Sequence, residues 1–242
     1  MRKIPFVVGQ YYHIYNRGTD KRIIFSDFSD LCRFLQSMDE FNTLEPIGSI
    51  LENQFRKGEN SELNILLGTP TTKLVDFVAF CLNPNHYHFI LTPVVDQGIE
   101  KFIQRLGGGF TRYYNEKYDR NGVLFQGKFK SIHIDSDNYL LHMSVYVNLN
   151  DKAHLLGTPS TKWIGKSSWD EYLRAKIIKG AIGEVNLVQN GPNDICEKSM
   201  ILSHFDSIEE YKEFAEKILQ EIIEKKSDKV GKLRKLNKLW LE

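Results

Sequence analysis

Cysteine is scarce in this chain of 242 residues. Cys32, Cys81 and Cys196 are odd in number, far apart and outside any Cys-x-x-Cys spacing. That excludes a disulfide framework or a zinc knuckle and fits a reducing compartment. Long apolar runs are also missing, and none approaches the roughly 18 residues that span a bilayer. The opening "MRKIPFVVGQYYHIYN" is basic and then apolar, but tyrosines and a histidine interrupt it and no small-residue cleavage site follows. It reads as the first strand of a cytoplasmic protein. A charge excess is absent overall, since the formal net charge is only +1.

The distribution of charge is less even. Residues 101–133 carry seven lysines and arginines against Glu116 and Asp119, and residues 224–242 carry seven against three acidic residues. Two such segments in a near-neutral chain are either a phosphate-binding surface or a pair of solvated helix faces.

What is plentiful is alternating and helical patterning. "FVVGQYYHIYNRG" (6–18) reads as a strand closed by a turn, and residues 25–42 as a helix capped by Ser26 or Asp27. Residues 43–72 are polar, broken by Pro46, Gly48, Gly58, Gly68 and Pro70, and read as a long loop or insertion. "KLVDFVAFCL" and "HYHFILTPV" are two strands around an Asn-Pro-Asn turn. Residues 98–119 form an amphipathic helix interrupted at Gly107-Gly108-Gly109, 122–134 a strand, 136–150 a helix capped by Ser136 or Asp137, and 205–225 a further helix. One octapeptide, "LLGTPTTK" (66–73), returns as "LLGTPSTK" (155–162), two copies being too few for a solenoid.

The chemistry centres on "NPNHYHFIL" (83–91). On a strand, His86 and His88 project from the same face and can share one divalent ion; the alternative is two exposed or packed histidines. On the helix at 136–150, Tyr146 and Asn150 are four apart and share a face with His142. Asn150 can offer an amide oxygen to Mg²⁺ or Mn²⁺, and Tyr146 can act as a nucleophile. By spacing alone Tyr146 reads more readily as a half-buried core tyrosine, and Tyr113, Tyr114, Tyr118 and Tyr139 are rival nucleophiles.

Five motifs occur in order: "YHIYNRG" (12–18) with "IFSD" (24–27), "NPNHYH" (83–88), "FTRYYNEKYDRNGVLFQGKFKS" (110–131), "YLLHMSVYVNLN" (139–150) and "SSWDEYL" (167–173). Together they resemble the single-tyrosine HUH transposases, and within them the REP-associated branch. More weakly, residues 201–219 resemble the helical extension of some members. The resemblance implies an α+β fold, with an antiparallel sheet of ferredoxin or RNA-recognition-motif type, helices on one face and a C-terminal helical extension. It divides the chain into a transposase domain at 1–175, with 43–72 as loop or insertion, and a helical extension with a basic tail at 176–242.

The resemblance also implies that His86, His88 and Asn150 hold Mg²⁺ or Mn²⁺ and that Tyr146 attacks a phosphodiester of single-stranded DNA beside a hairpin. The attack leaves a 5′-phosphotyrosine link, and strand transfer follows. Lys101, Arg105, Arg112, Lys128 and Lys130 are then phosphate contacts, with Tyr113 and Tyr114 stacking on bases in a groove between the sheet and the basic helix. Expected partners are hairpin-bearing DNA and no membrane; the protein is a monomer or homodimer in the cytoplasm, at the nucleoid. Two residues depart from the family pattern: Asn148 stands where histidine is usual and Asp151 where proline is usual. They motivate an alternative, a domesticated hairpin-binding protein that cleaves weakly or not at all. A hydrolase of small phosphodiesters is the third class considered.

Overall fold

The computed structural model describes residues 5–50, 73–153, 164–179, 186–191 and 193–239, with side chains to residue 227. The elements begin with β1 (Tyr11–Arg17), α1 (Phe28–Glu40), β2 (Val75–Asn83) and β3 (His86–Pro93), followed by α2 (Gly98–Lys117), β4 (Lys130–Ile134) and α3 (Asp137–Asn148). A short turn of helix, α4 (Asn150–Ala153), precedes the two-residue β5 (Lys166–Ser167) and α5 (Trp169–Arg174). A small hairpin, β6 (Lys176–Ile178) with β7 (Leu187–Gln189), leads to α6 (Ser199–Leu202) and the long α7 (Ile208–Leu239).

Five strands form one antiparallel sheet in the order β4-β1-β3-β2-β5. The first four, with α1 and α2, are the β-α-β-β-α-β arrangement of ferredoxin-like proteins. The α+β class is therefore as the motifs imply. β2 is buried along almost its whole length, which explains why its sequence is nearly continuously apolar rather than alternating.

The helices cover both faces of the sheet, not one. α1 and α2 pack on the face bearing Ile14, Phe77, Phe89 and Leu91. α3, α5 and α7 pack on the opposite face, against Val78, Cys81 and Ile90. The reason lies in the alternation of β3: Tyr87, Phe89 and Leu91 form one apolar row, while Ile90 continues the row that begins with the two histidines. Tyr146 sits on α3 and so lies across the sheet from the basic helix.

α1 starts at a capping box in which Asp27 accepts from the backbone N–H of Asp30, and the Asp30 carboxylate accepts from that of Asp27. Asp30 is fully buried and also receives the Lys117 ammonium at 2.8 Å and the Tyr118 hydroxyl at 2.8 Å. One carboxylate thus locks α1 to the end of α2. The three glycines expected to interrupt α2 do not, and the helix is continuous. At Gly109 a Cβ would stand 2.6 Å from the Phe41 ring, so glycine allows α2 to approach the end of α1. Gly107 and Gly108 face open space.

Residues after 175 are built into the same core. Cys196 bridges to Phe77, and Glu197 donates its N–H to the Phe77 carbonyl. Tyr211 and Ala215 of α7 are buried against α3 and α5. The expected extension is thus helical but also contains the β6–β7 hairpin. The repeated octapeptides, apart from Lys73, lie outside the described residues, as do most of 43–72 and the side chains of the basic tail beyond 227.

Candidate active site

β3 sits between β1 and β2, and the start of β3 carries His86 and His88. Each histidine has an outer hydrogen bond. His88 Nδ1 meets Nε2 of His13, on β1, at 2.8 Å, and both side chains are buried. Burial without a partner charge lowers the His13 pKa to about 4, so this imidazole stays neutral at physiological pH. His86 Nδ1 lies 2.6 Å from Asn85 Oδ1. The Asn85 amide nitrogen donates to the Lys21 carbonyl, which fixes the orientation of that amide. Asn85 Oδ1 therefore accepts, His86 Nδ1 carries the proton, and His86 Nε2 is the basic nitrogen. This is the pattern of an imidazole oriented to present Nε2 to an ion.

Asn83 completes the polar end of β2. Its amide nitrogen is 3.0 Å from His86 Nε2 and 2.9 Å from Asn150 Oδ1. Asn83 and Asn150 are both fully buried. The helix bearing Tyr146 ends at Leu149, so Asn150 belongs to the next turn, α4, yet still reaches the histidines through Asn83.

Tyr146 is half-buried with its ring edge-on to His88 at 5.8 Å and to His13 at 6.1 Å between centroids. Burial raises its pKa, and the Asn150 amide beside it acts the other way. Of the rival tyrosines named from the sequence, Tyr113 and Tyr118 bond to Asp30, and Tyr114 is buried beside Ser26. Tyr139 packs against the same core cluster as Tyr146, and His142 against Phe214 rather than the imidazoles. The sequence reading missed Tyr15, which stacks on His13 at 4.9 Å and on His88 at 5.7 Å. Its signal was the two-residue spacing from His13 along β1.

A cavity of about 540 Å³ opens beside the histidines, walled by Tyr15, Arg17, Lys21 and Lys130. Arg17 and Lys21 were not foreseen; they flank a turn that enters the site because Gly18 donates to the Asn85 carbonyl. A Cβ at Gly18 would be 2.3 Å from the Arg22 carbonyl, so only glycine closes this turn. Arg17 is held by Gln126.

The expected DNA contacts divide differently. Lys130 lines the histidine cavity, whereas Arg112 and Lys128 line a separate groove of about 820 Å³ along Gly107 and Gly108 of α2. Asn16 borders both. Lys101 is exposed on α2. Arg105 instead donates to the carbonyls of Thr43 and Leu44. Tyr114, 6% exposed, belongs to the core and offers no face to a base. Tyr113 is partly buried, with Arg33 over its ring.

The two departures from the family motif also find places. Asn148 is fully buried, donates to the Tyr211 hydroxyl at 3.1 Å and accepts from Ser168 at 2.5 Å, tying α3 to α7 and α5. Asp151 lines a different cavity, with Lys166 and Trp169, and burial raises its pKa.

Residues 55–150 match the family model "Transposase IS200 like". That stretch, about two fifths of the chain, is similar to IS200-like transposases. Both histidines, Asn83, Tyr146 and Asn150 fall inside this matched stretch, whereas His13, Tyr15 and Arg17 come from β1 and Lys21 from the turn after it. A solved structure, "Structure of the REP associates tyrosine transposase bound to a REP hairpin", is similar at 13% identity over 64% of this chain and 73% of its own, with a TM-score of 0.35. A likeness of that degree carries no argument of its own. No curated protein matches the chain.

No group of three or more histidine, cysteine or carboxylate side chains among the described residues is arranged for an ion. Beside the two imidazoles, Asn150 brings an amide oxygen to the same place through Asn83. The imidazoles have their outer hydrogen bonds in place, so a set of two ring nitrogens and one amide oxygen fits a divalent cation. No helix among the described residues is long and apolar enough to cross a membrane.

Proposed function

We propose that the chain nicks single-stranded DNA beside a hairpin and transfers the strand through a tyrosine-linked intermediate. The observation that carries the reading is the meeting of Tyr146, His86 and His88 beside a cavity walled by Arg17, Lys21 and Lys130. A nucleophile, two imidazole ligands and three cations are the parts that phosphodiester exchange requires.

His86, His88 and Asn150 would hold Mg²⁺ or Mn²⁺, which would supply Lewis-acid polarisation of the scissile phosphate. Arg17, Lys21 and Lys130 place that phosphate and its neighbours by charge. Tyr146 loses its phenolic proton and forms the O–P bond; the P–O3′ bond breaks and the leaving 3′ oxygen takes up a proton. The link preserves the energy of the broken bond, so the 3′-OH, or that of another strand, can reverse the step without ATP. Burial raises the Tyr146 pKa further from neutrality, so the phenol is protonated in the free protein.

The test uses a labelled hairpin oligonucleotide with Mg²⁺ or Mn²⁺, followed by denaturing gel electrophoresis. The wild type gives a protein-linked band, Tyr146→Phe gives none, and Tyr15→Phe retains it. A covalent band from Tyr146→Phe, or its loss only in Tyr15→Phe, moves the nucleophile to Tyr15. A hairpin that binds tightly but is never cut supports the domesticated binder instead.

A further inference from the structure

Asn83 belongs to no role derived so far, although it is the most central polar group of the site. Its amide nitrogen stands between His86 Nε2 and Asn150 Oδ1, within 3.0 and 2.9 Å. Both atoms are lone-pair acceptors, and the outer bonds of Asn85 fix that assignment for His86. The two amide protons therefore do what a cation would do, which is to neutralise two converging lone pairs. The opposite end of the amide is weakly engaged, with Oδ1 only 3.7 Å from the Cys81 thiol.

Adjacent ligands of an octahedral ion with bonds of about 2.1 Å are about 3.0 Å apart. The distances from the Asn83 nitrogen to its two neighbours are those of such an edge. A half-turn of the terminal amide, a broad and roughly two-fold torsion, exchanges nitrogen for oxygen at the same point. We propose that Asn83 is a further ligand of the ion: its NH₂ bridges His86 and Asn150 in the ion-free protein, and its carbonyl oxygen replaces that bridge when Mg²⁺ or Mn²⁺ binds. This rests on the ion site of the preceding reading. The exchange leaves the NH₂ facing the Cys81 sulfur, a weak acceptor. It also turns an interaction that competes with the ion into one that holds it.

The experiment titrates the full chain with Mn²⁺ and follows free Mn²⁺ by electron paramagnetic resonance, for wild type, Asn83→Leu, Asn83→Asp and His88→Ala. Wild type binds one ion, and both Asn83→Leu and His88→Ala weaken it at least tenfold. Asn83→Asp, which has only oxygens, binds as tightly as wild type or more so. If Asn83→Leu binds as well as wild type while His88→Ala does not, Asn83 is only a placeholder and the proposal fails alone. If wild type and His88→Ala bind equally weakly, the ion site itself fails and takes Asn83 with it. Should Asn83→Leu not fold, side-chain amide NMR of the wild type decides. The Asn83 NH₂ signals, assigned by their loss in Asn83→Asp, shift on adding Mg²⁺ and return with EDTA, and signals that stay in place overturn the exchange.

Discussion

Three adjacent glycines on α2 allow the packing and the groove to be tested with single methyl groups. In a helix interior glycine is about 0.8–1.0 kcal/mol less favourable than alanine. A Cβ at Gly107 or Gly108 meets nothing within 4 Å, so Gly107→Ala and Gly108→Ala each stabilise the protein by about 1 kcal/mol. Being neighbours in sequence, they project in different directions, and the double variant gains about 2 kcal/mol. Gly109→Ala has the same propensity gain but places its methyl 2.6 Å from the ring of Phe41, which packs with Ile47 and Ile50. Overpacking of that kind costs roughly 1–3 kcal/mol, so the net change is about zero to 2 kcal/mol of destabilisation. Urea unfolding at constant m-value reads all three. Gly107 and Gly108 also line the groove with Arg112 and Lys128, so their methyls weaken hairpin binding while raising stability. Destabilisation by Gly107→Ala, or equal stabilisation by all three, refutes the packing of α2. Unchanged hairpin affinity in the stabilised double variant refutes the groove as a DNA surface.

His13, with its pKa lowered to about 4, binds its proton less readily folded than unfolded. Stability is therefore full above the unfolded value near 6.5 and falls as pH drops toward 4, by about 2 kcal/mol at pH 5. His13→Gln, which keeps a hydrogen-bonding partner for His88 but does not titrate, removes that loss in urea unfolding with EDTA present; an unchanged loss assigns it to other groups. Asn148→Leu removes the Asn148 amide from the Tyr211 hydroxyl, while the Ser168 hydroxyl falls back on the Phe80 carbonyl, and costs about 1–3 kcal/mol. Asn148→His at neutral pH, measured by thermal unfolding, is tolerated no better, because the imidazole cannot reproduce the amide's fork between two hydroxyls.

Patterns that repeat along the chain were legible in the sequence. β2 and β3, their Asn-Pro-Asn turn, the Asp27 cap of α1 and the Ser136 cap of α3 follow from local chemistry, and so does the shared face of His86 and His88. Tyr146 and Asn150 could be paired by helical spacing, although the helix ends between them. Groups brought in by other segments were not legible. Asn83 and Asn85 read only as turn residues, Arg17 read as the end of a strand, and Lys21 fell between the expected elements. Their roles come from the register of β1 against β3, which no local pattern encodes. The basic helix misled for a related reason: its charge is local, but the face of the sheet it covers is set by topology. Tyr114 stands on the apolar stripe of α2, and its burial wins over any stacking role.

The bond from Asn148 to Tyr211 has a consequence for the order of events during synthesis. Domains assemble as the chain emerges, N-terminal parts first. The sheet and the histidines can be in place early, but α3 lacks the partners of its buried back until α7 has left the ribosome. The helix that bears Tyr146 is thus completed last, after the strand that bears His86 and His88. Under the proposed chemistry, competence to cut DNA then waits on the later chain, because 63 residues separate the two hydrogen-bonded side chains.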